Sequence, residues 1–268
     1  MRSGRSHPLA VLALLTCAAC ASSPGSDARR TGTSTAQPAN APSAAPSAAP
    51  SANASLPTAD LTPDPVLGKA LVEGLLAVRA GNPRRAVDGS FNPVVNAYEM
   101  RYRATPGRIY CARTMAEATR YMQDAVRNHQ PARVVEAGLV LAYVYRGREL
   151  MTLDDLAGAQ AGLERARALS PANAAVLLQL GAAYKAQRKL PQAQEAFQAA
   201  VDAADLSPPE TKPQETADAF YGLGSTYVAM GRLDEAEATY RRCLKVLPGN
   251  ALAQMELSEI QRQRAQSR

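Results

Sequence analysis

Tryptophan is missing from this 268-residue chain, and phenylalanine occurs only three times. The apolar content therefore rests on alanine and leucine, whose side chains suit close-packed helices better than the β-branched and aromatic surface of a sheet. Histidine is as scarce, with only His7 and His129. That excludes a His-rich metal site and leaves any Ser-His-Asp arrangement dependent on one imidazole. His129 stands in "RNHQP" at an expected helix end, where a role beside the C-terminal dipole or in solvent accounts for it. No apolar run is long enough for a bilayer: the stretch from Leu9 to Ala19 is about half of the roughly twenty residues a spanning helix needs.

That stretch has another use. Arg2 and Arg5 precede it and a polar segment follows Cys20, which is the layout of an export signal over residues 1–19. The sequence "TCAACASSP" resembles the lipobox of bacterial lipoproteins, with Ala18 and Ala19 before a lipidated Cys20. Cys17 stands where that family has Leu, and it remains the alternative processing site. The resemblance implies a lipid anchor and, because Ala rather than Asp follows Cys20, an outer-membrane protein facing the periplasm. Loss of the signal lowers the formal charge from +6 to +4, since Arg2 and Arg5 go and no acid goes with them. A charge that mild gives no nucleic-acid footprint.

Residues 20–63 are dominated by Ala, Ser, Pro and Thr and cannot offset their ordering entropy, so they read as a tether. A helical segment is expected over 64–131. In its first helix Val66, Leu67, Ala70, Leu71, Leu75 and Val78 trace one face, and Gly81, Asn82 and Pro83 end it. Asn92 and Pro93 are placed to cap a second helix, and Thr114 with Glu117 has capping-box spacing for a third.

From there to residue 268 the chain repeats itself. Gly147 and Gly181 lie 34 residues apart, and Leu223, Gly224, Tyr227, Leu233, Ala236 and Tyr240 echo Leu180, Gly181, Tyr184, Leu190, Ala193 and Phe197. With Phe220 and Pro248 these positions resemble the tetratricopeptide repeat family. The resemblance implies an all-α solenoid of about three repeats over 132–268, closed by a capping helix at "NALAQMELSEIQRQRAQ". Gly181, Ala193, Gly224 and Ala236 are read as small because neighbouring helices approach there. The nine extra residues between Gly181 and Gly224, around "DLSPPETKP", are read as a tolerated loop insertion.

Motifs that might carry chemistry have simpler explanations. Tyr227 breaks the glycine pattern of "GLGSTY", so no phosphate loop is expected. Asp154 with Asp155, and Asp234 with Glu235, fall at helix starts, where each acid stabilises by about 0.3–1 kcal/mol. Cys111 and Cys243 are expected as separate packed thiols, since sequential stacking would hold them beyond the roughly 7 Å that a disulfide spans. Tyr98, Tyr102, Tyr110 and Tyr121 interleave with Arg101, Arg103, Arg108, Arg113 and Arg120. They read as seals for the first repeat with covering Arg stems, or alternatively as a glycan, lipid or peptide site.

The expectation is a non-catalytic envelope adaptor with no cofactor, no metal and no nucleic-acid partner, binding another protein or peptide. The alternatives are a glycan or lipid module built on residues 98–121 and, further off, a cell-wall hydrolase. The family resemblance implies a concave groove lined by Leu141, Val144, Arg148, Leu178, Ala182, Lys185, Tyr221, Ser225 and Val228. Where peptide-clamping members carry Asn after the repeat Gly, this chain has Arg148, Ala182 and Ser225. A terminal-carboxylate clamp is therefore not expected.

Overall fold

The structure, a computed structural model, describes residues 58–266. The export signal, Cys17, Cys20 and most of the tether lie outside the described residues. The first helix, α1 (Pro65–Arg79), starts where the Asp64 carboxylate accepts from Val66 N at 2.9 Å and Leu67 N at 2.7 Å, with Pro65 in the first turn. It stops at Gly81, whose φ of 73° is left-handed. Leu67, Ala70, Leu71, Leu75 and Val78 join the core as their spacing predicts, but Val66 is 74 % exposed on the other side of the helix.

The return helix is continuous through three segments: α2 (Pro83–Ala86), a π-helical turn (Val87–Phe91) and α3 (Asn92–Tyr102). Asn92 does not cap it. Its φ/ψ of −61°/−49° is helical, because the π turn joins the segments without a break.

Further along, α5 (Gly138–Thr152) pairs with α6 (Leu156–Leu169), α7 (Ala174–Ala186) with α8 (Leu190–Ala203), and α9 (Lys212–Ala229) with α10 (Leu233–Val246); α11 (Ala251–Gln266) closes the stack. These hairpins share one plan. A Cβ on Gly147 would stand 2.8 Å from Leu163, one on Gly181 2.9 Å from Phe197, and one on Gly224 2.7 Å from Tyr240. Real Cβ contacts are essentially never that short, so only glycine lets the facing side chain lie against the helix. Seven residues after each glycine the backbone turns left-handed, at Asp154, Arg188 and Gly231. Twelve after it stands a fully buried alanine, at Ala159, Ala193 and Ala236.

The N-terminal hairpin follows the same plan, which its sequence conceals. Gly74 faces Phe91, the left-handed turn falls at Gly81, and Ala86 is fully buried. The aromatic comes seventeen residues after the glycine rather than sixteen. The π turn that ends at Phe91 takes up the extra residue, since such a turn inserts one residue into an α-helical ladder.

Between the first and second hairpins the chain makes a βαβ unit: β2 (Arg108–Ala112), α4 (Met115–Arg127) and β3 (Ala132–Glu136). β1 (Thr58–Asp60) adds to the far edge of β3, giving a parallel sheet of order β1-β3-β2, with Ala59 opposite Val134 and Tyr110 also opposite Val134. The segment expected to be helical thus contains a sheet, and the ordered fold begins inside the stretch read as tether. Both faces are covered, as parallel sheets require. Tyr110, Ala112 and Val134 pack on Ala118, Tyr121 and Ala125 of α4, while Cys111 and Val135 face the helical core.

The βαβ unit lies along the loops that join hairpins. Ser170 Oγ, in the α6–α7 loop, donates to Cys111 O at 2.7 Å and lies 3.0 Å from Tyr121 Oη. Thr114 Oγ1 donates to Leu206 O at 2.9 Å, inside the α8–α9 connection. Arg113 then bridges Glu117, at 3.0 Å, and Glu215 of α9, at 2.7 Å. The longer α8–α9 loop is therefore a docking surface for α4 as well as a tolerated insertion. The Thr114 side chain caps α4 through Glu117 N, but the Glu117 carboxylate returns to Arg113 N rather than to the cap residue.

Candidate functional site

First helices of successive hairpins touch: α1 meets α5, α5 meets α7, and α7 meets α9. The second helices α6, α8 and α10 pack on first helices and make no comparable contact with one another. A stack closer on one side than on the other curves, so the first helices line its concave face.

Along α7 that face carries Leu178, Ala182 and Lys185; along α9 it carries Tyr221, Ser225 and Val228, all partly exposed. Leu141 and Arg148 of α5 are partly exposed as well. Val144 is not available: it is 7 % exposed in the cluster that contains Leu71, because α1 packs against α5 and closes that end. Arg148 is already engaged, 3.0 Å from Glu149 and 5.9 Å from the Tyr145 ring.

Lys185 differs. Its Nζ donates to Ser225 Oγ at 2.6 Å, and among the described residues no carboxylate lies within ion-pair distance of it. Burial pulls its pKa below the ordinary lysine value, against the through-space pull of Glu256 on α11. A half-buried ammonium held only by a hydroxyl, on the face that carries Leu178 and Tyr221, is an incomplete electrostatic arrangement, since buried charge is costly until it is paired. Tyr221 also feels burial first and Glu256 second, both raising its phenol pKa.

The closing helix extends this face further than a cap would. Ser258 stands 34 residues after Gly224, and in that register Leu252, Met255, Glu259 and Arg262 of α11 continue the rows of Asp218, Tyr221, Ser225 and Val228. Leu252 is 47 % exposed and Met255 66 %. The repeat spacing, carried one step further, was the signal that could have found them.

In the Tyr/Arg segment the arginines Arg101, Arg103, Arg108 and Arg120 are exposed, but most of the tyrosines are not. Tyr98, Tyr110 and Tyr121 are buried, and Tyr110 and Tyr121 stack 5.2 Å apart between sheet and α4. Arg101 pairs with Asp64 at 2.6 Å, Arg108 lies over the Tyr110 ring, Arg113 is held in its acidic bridge, and Arg120 pairs with Asp124. A polar cleft remains beside the sheet edge, of about 260 Å³, where Arg101 and Arg133 face Asp60 and Glu136. Its opposite charges come from the chain itself, so nothing there selects a ligand of one sign.

The other candidate residues take structural roles. Cys111 and Cys243 are free and fully buried, each in its own cluster. Burial pushes the Cys111 thiol up to about 12 and that of Cys243 up to about 11, so both are inert at neutral pH. Asp155 caps α6 through Gly158 N at 2.8 Å, and Asp234 and Glu235 lie in the first turn of α10. His129 adopts φ 51° just past α4, where its N–H meets Val126 O at 3.1 Å. Ser225 lies within α9, so "GLGSTY" forms no loop.

Residues 172–248 match the family model described as tetratricopeptide repeat. No curated protein matches the chain. Among solved structures, PilF of Pseudomonas aeruginosa is similar with a TM-score of 0.51 at 13 % identity, over 75 % of this chain and 69 % of that one. MamA follows at a TM-score of 0.44 and 19 % identity, over 69 % and 84 %. The first TPR domain of human RPAP3 gives 0.42 and 21 %, over 47 % and 93 %. The likeness to PilF shows a shared fold.

Proposed function

We propose that this tetratricopeptide repeat protein is a non-catalytic adaptor that holds an internal segment of another protein in the groove of α5, α7, α9 and α11. The observation that carries this reading is Lys185, a half-buried cation with no carboxylate at ion-pair distance among the described residues, on the face that also carries the apolar Leu178 and Tyr221. The segment supplies an acidic side chain to Lys185 and an apolar one between Leu178 and Tyr221. Burial of a few large side chains carries most of the affinity of such an interface. Its place of work is the cell envelope, with the lipid on Cys20 holding the tether to the outer membrane on its periplasmic side. That part of the proposal rests on the sequence before residue 58.

The test is photocrosslinking in cells from positions 178 and 221, followed by mass spectrometry of what is captured and titration with a peptide of the captured segment. Leu178→Ala and Tyr221→Ala should each weaken binding by more than about 1 kcal/mol. An acid seated on Lys185 raises its pKa, so affinity is full while the ammonium is protonated. It falls as pH rises through the free-protein value, below the ordinary lysine range. Lys185→Gln should abolish that alkaline limb. Unchanged binding in all three variants would discard the groove.

A further inference from the structure

The first helix of every later hairpin buries one stripe against the hairpin before it. Five residues before the core glycine, or Ser258 in α11, stand Ala142, Val176, Ala219 and Ala253, all 0 % exposed. Two residues after it stand Glu149, Ala183, Thr226 and Ile260, none above 4 %. In α1 the same two positions are Lys69 and Leu76; Lys69 is exposed and Leu76 is 55 % exposed, with Val72 at 54 % between them and Val66 at 74 % beyond. This stripe is built like a stacking face, and no described element covers it.

Its charges say what fits. Lys69 and Glu73 are spaced to pair along the helix, yet among the described residues no ion pair joins either to a neighbour. If a second α1 crosses antiparallel about a two-fold axis at the level of Leu71, Val66 falls opposite Leu76 of the other copy and Lys69 opposite its Glu73. Val72 then lies near the axis. Each apolar and each ionic match occurs twice, as self-complementary interfaces require. Head-to-tail stacking is disfavoured, because the outer face of α11 is polar, with Gln254, Ser258 and Gln261 exposed.

We propose that α1 is a two-fold dimer interface, occupied by a second copy of this chain through Val66, Lys69, Val72, Glu73 and Leu76. Dimerisation leaves the groove of each copy open and doubles the number of segments one assembly can hold.

Sedimentation velocity of the full chain over a dilution series tests it. The wild type should dimerise, and Leu76→Glu should give monomer with an unchanged melt. Lys69→Glu and Glu73→Lys each place like charges opposite one another twice. Each should weaken the dimer about tenfold or more, and the double reversal should recover most of that loss. A wild-type chain that stays monomeric overturns the proposal, whether the face is then covered by residues 1–57 or by another protein. A dimer that survives Leu76→Glu, or a double reversal no tighter than either single one, also overturns it.

Discussion

Phe197 is held between two glycines. Its ring, 4 % exposed, lies 2.9 Å from where a Cβ on Gly181 would stand, and closer still to one on Gly222 of the next hairpin. Ordinary contact begins at 3.4 Å, so Gly181→Ala forces the ring or α7 to give by about 0.5 Å where α9 blocks retreat. Overpacking of this kind costs about 1–3 kcal/mol. Alanine returns roughly 0.5–1 kcal/mol of helix propensity, which leaves a net loss of about 0–2.5 kcal/mol. Gly162→Ala is the control, since its nearest neighbour stands at 3.4 Å, and Gly68→Ala meets nothing within 4 Å. Both should stabilise by about 0.5–1 kcal/mol. For a domain of this size 1 kcal/mol moves the Tm by about 2–4 °C, so thermal melts separate the two signs. Phe197→Leu should relieve Gly222→Ala, making the double variant less destabilised than the sum of the two by about 0.5–3 kcal/mol. Strict additivity, or a Gly181→Ala protein as stable as Gly162→Ala, would refute the close approach of the hairpins.

Arg113→Ala leaves the carboxylates of Glu117 and Glu215 facing each other, one fully buried and the other nearly so. A loss of about 3–5 kcal/mol is expected in urea melts, with hydrogen-exchange protection falling together in residues 108–136 and 204–215. Arg120→Ala, an exposed pair on the same helix, should cost under about 1 kcal/mol; equal effects would mean that the bridge holds nothing. Cys20→Ala should move the protein from the membrane to the soluble fraction, and wild type found by mass spectrometry without a lipid would end the anchor proposal.

The sequence alone determined the helical array, because everything that defines a hairpin is local. Gly181 and Phe197 sit on consecutive helices, Arg188 turns the chain between them as Asp154 does between Gly147 and Leu163, and the 34-residue interval repeats the result. The resemblance to the repeat family implied that Leu178, Lys185 and Tyr221 lie on first helices and line a concave groove; in the fold, the concavity follows from which helices touch. The first hairpin escaped notice because its glycine and phenylalanine are one residue out of step, and only the packed π turn restores the match. β2 and β3 are five residues each and carry no decisive periodicity; their partners are fixed by a register that only the folded chain supplies. The burial of Val144 was equally out of reach, since it depends on α1, far earlier in the chain. Arg113 meets Glu215 across 102 residues, a contact no local pattern encodes. Helical hairpins are specified by neighbours in sequence, whereas the sheet and its clasp depend on contacts that exist only once the array has brought distant segments together.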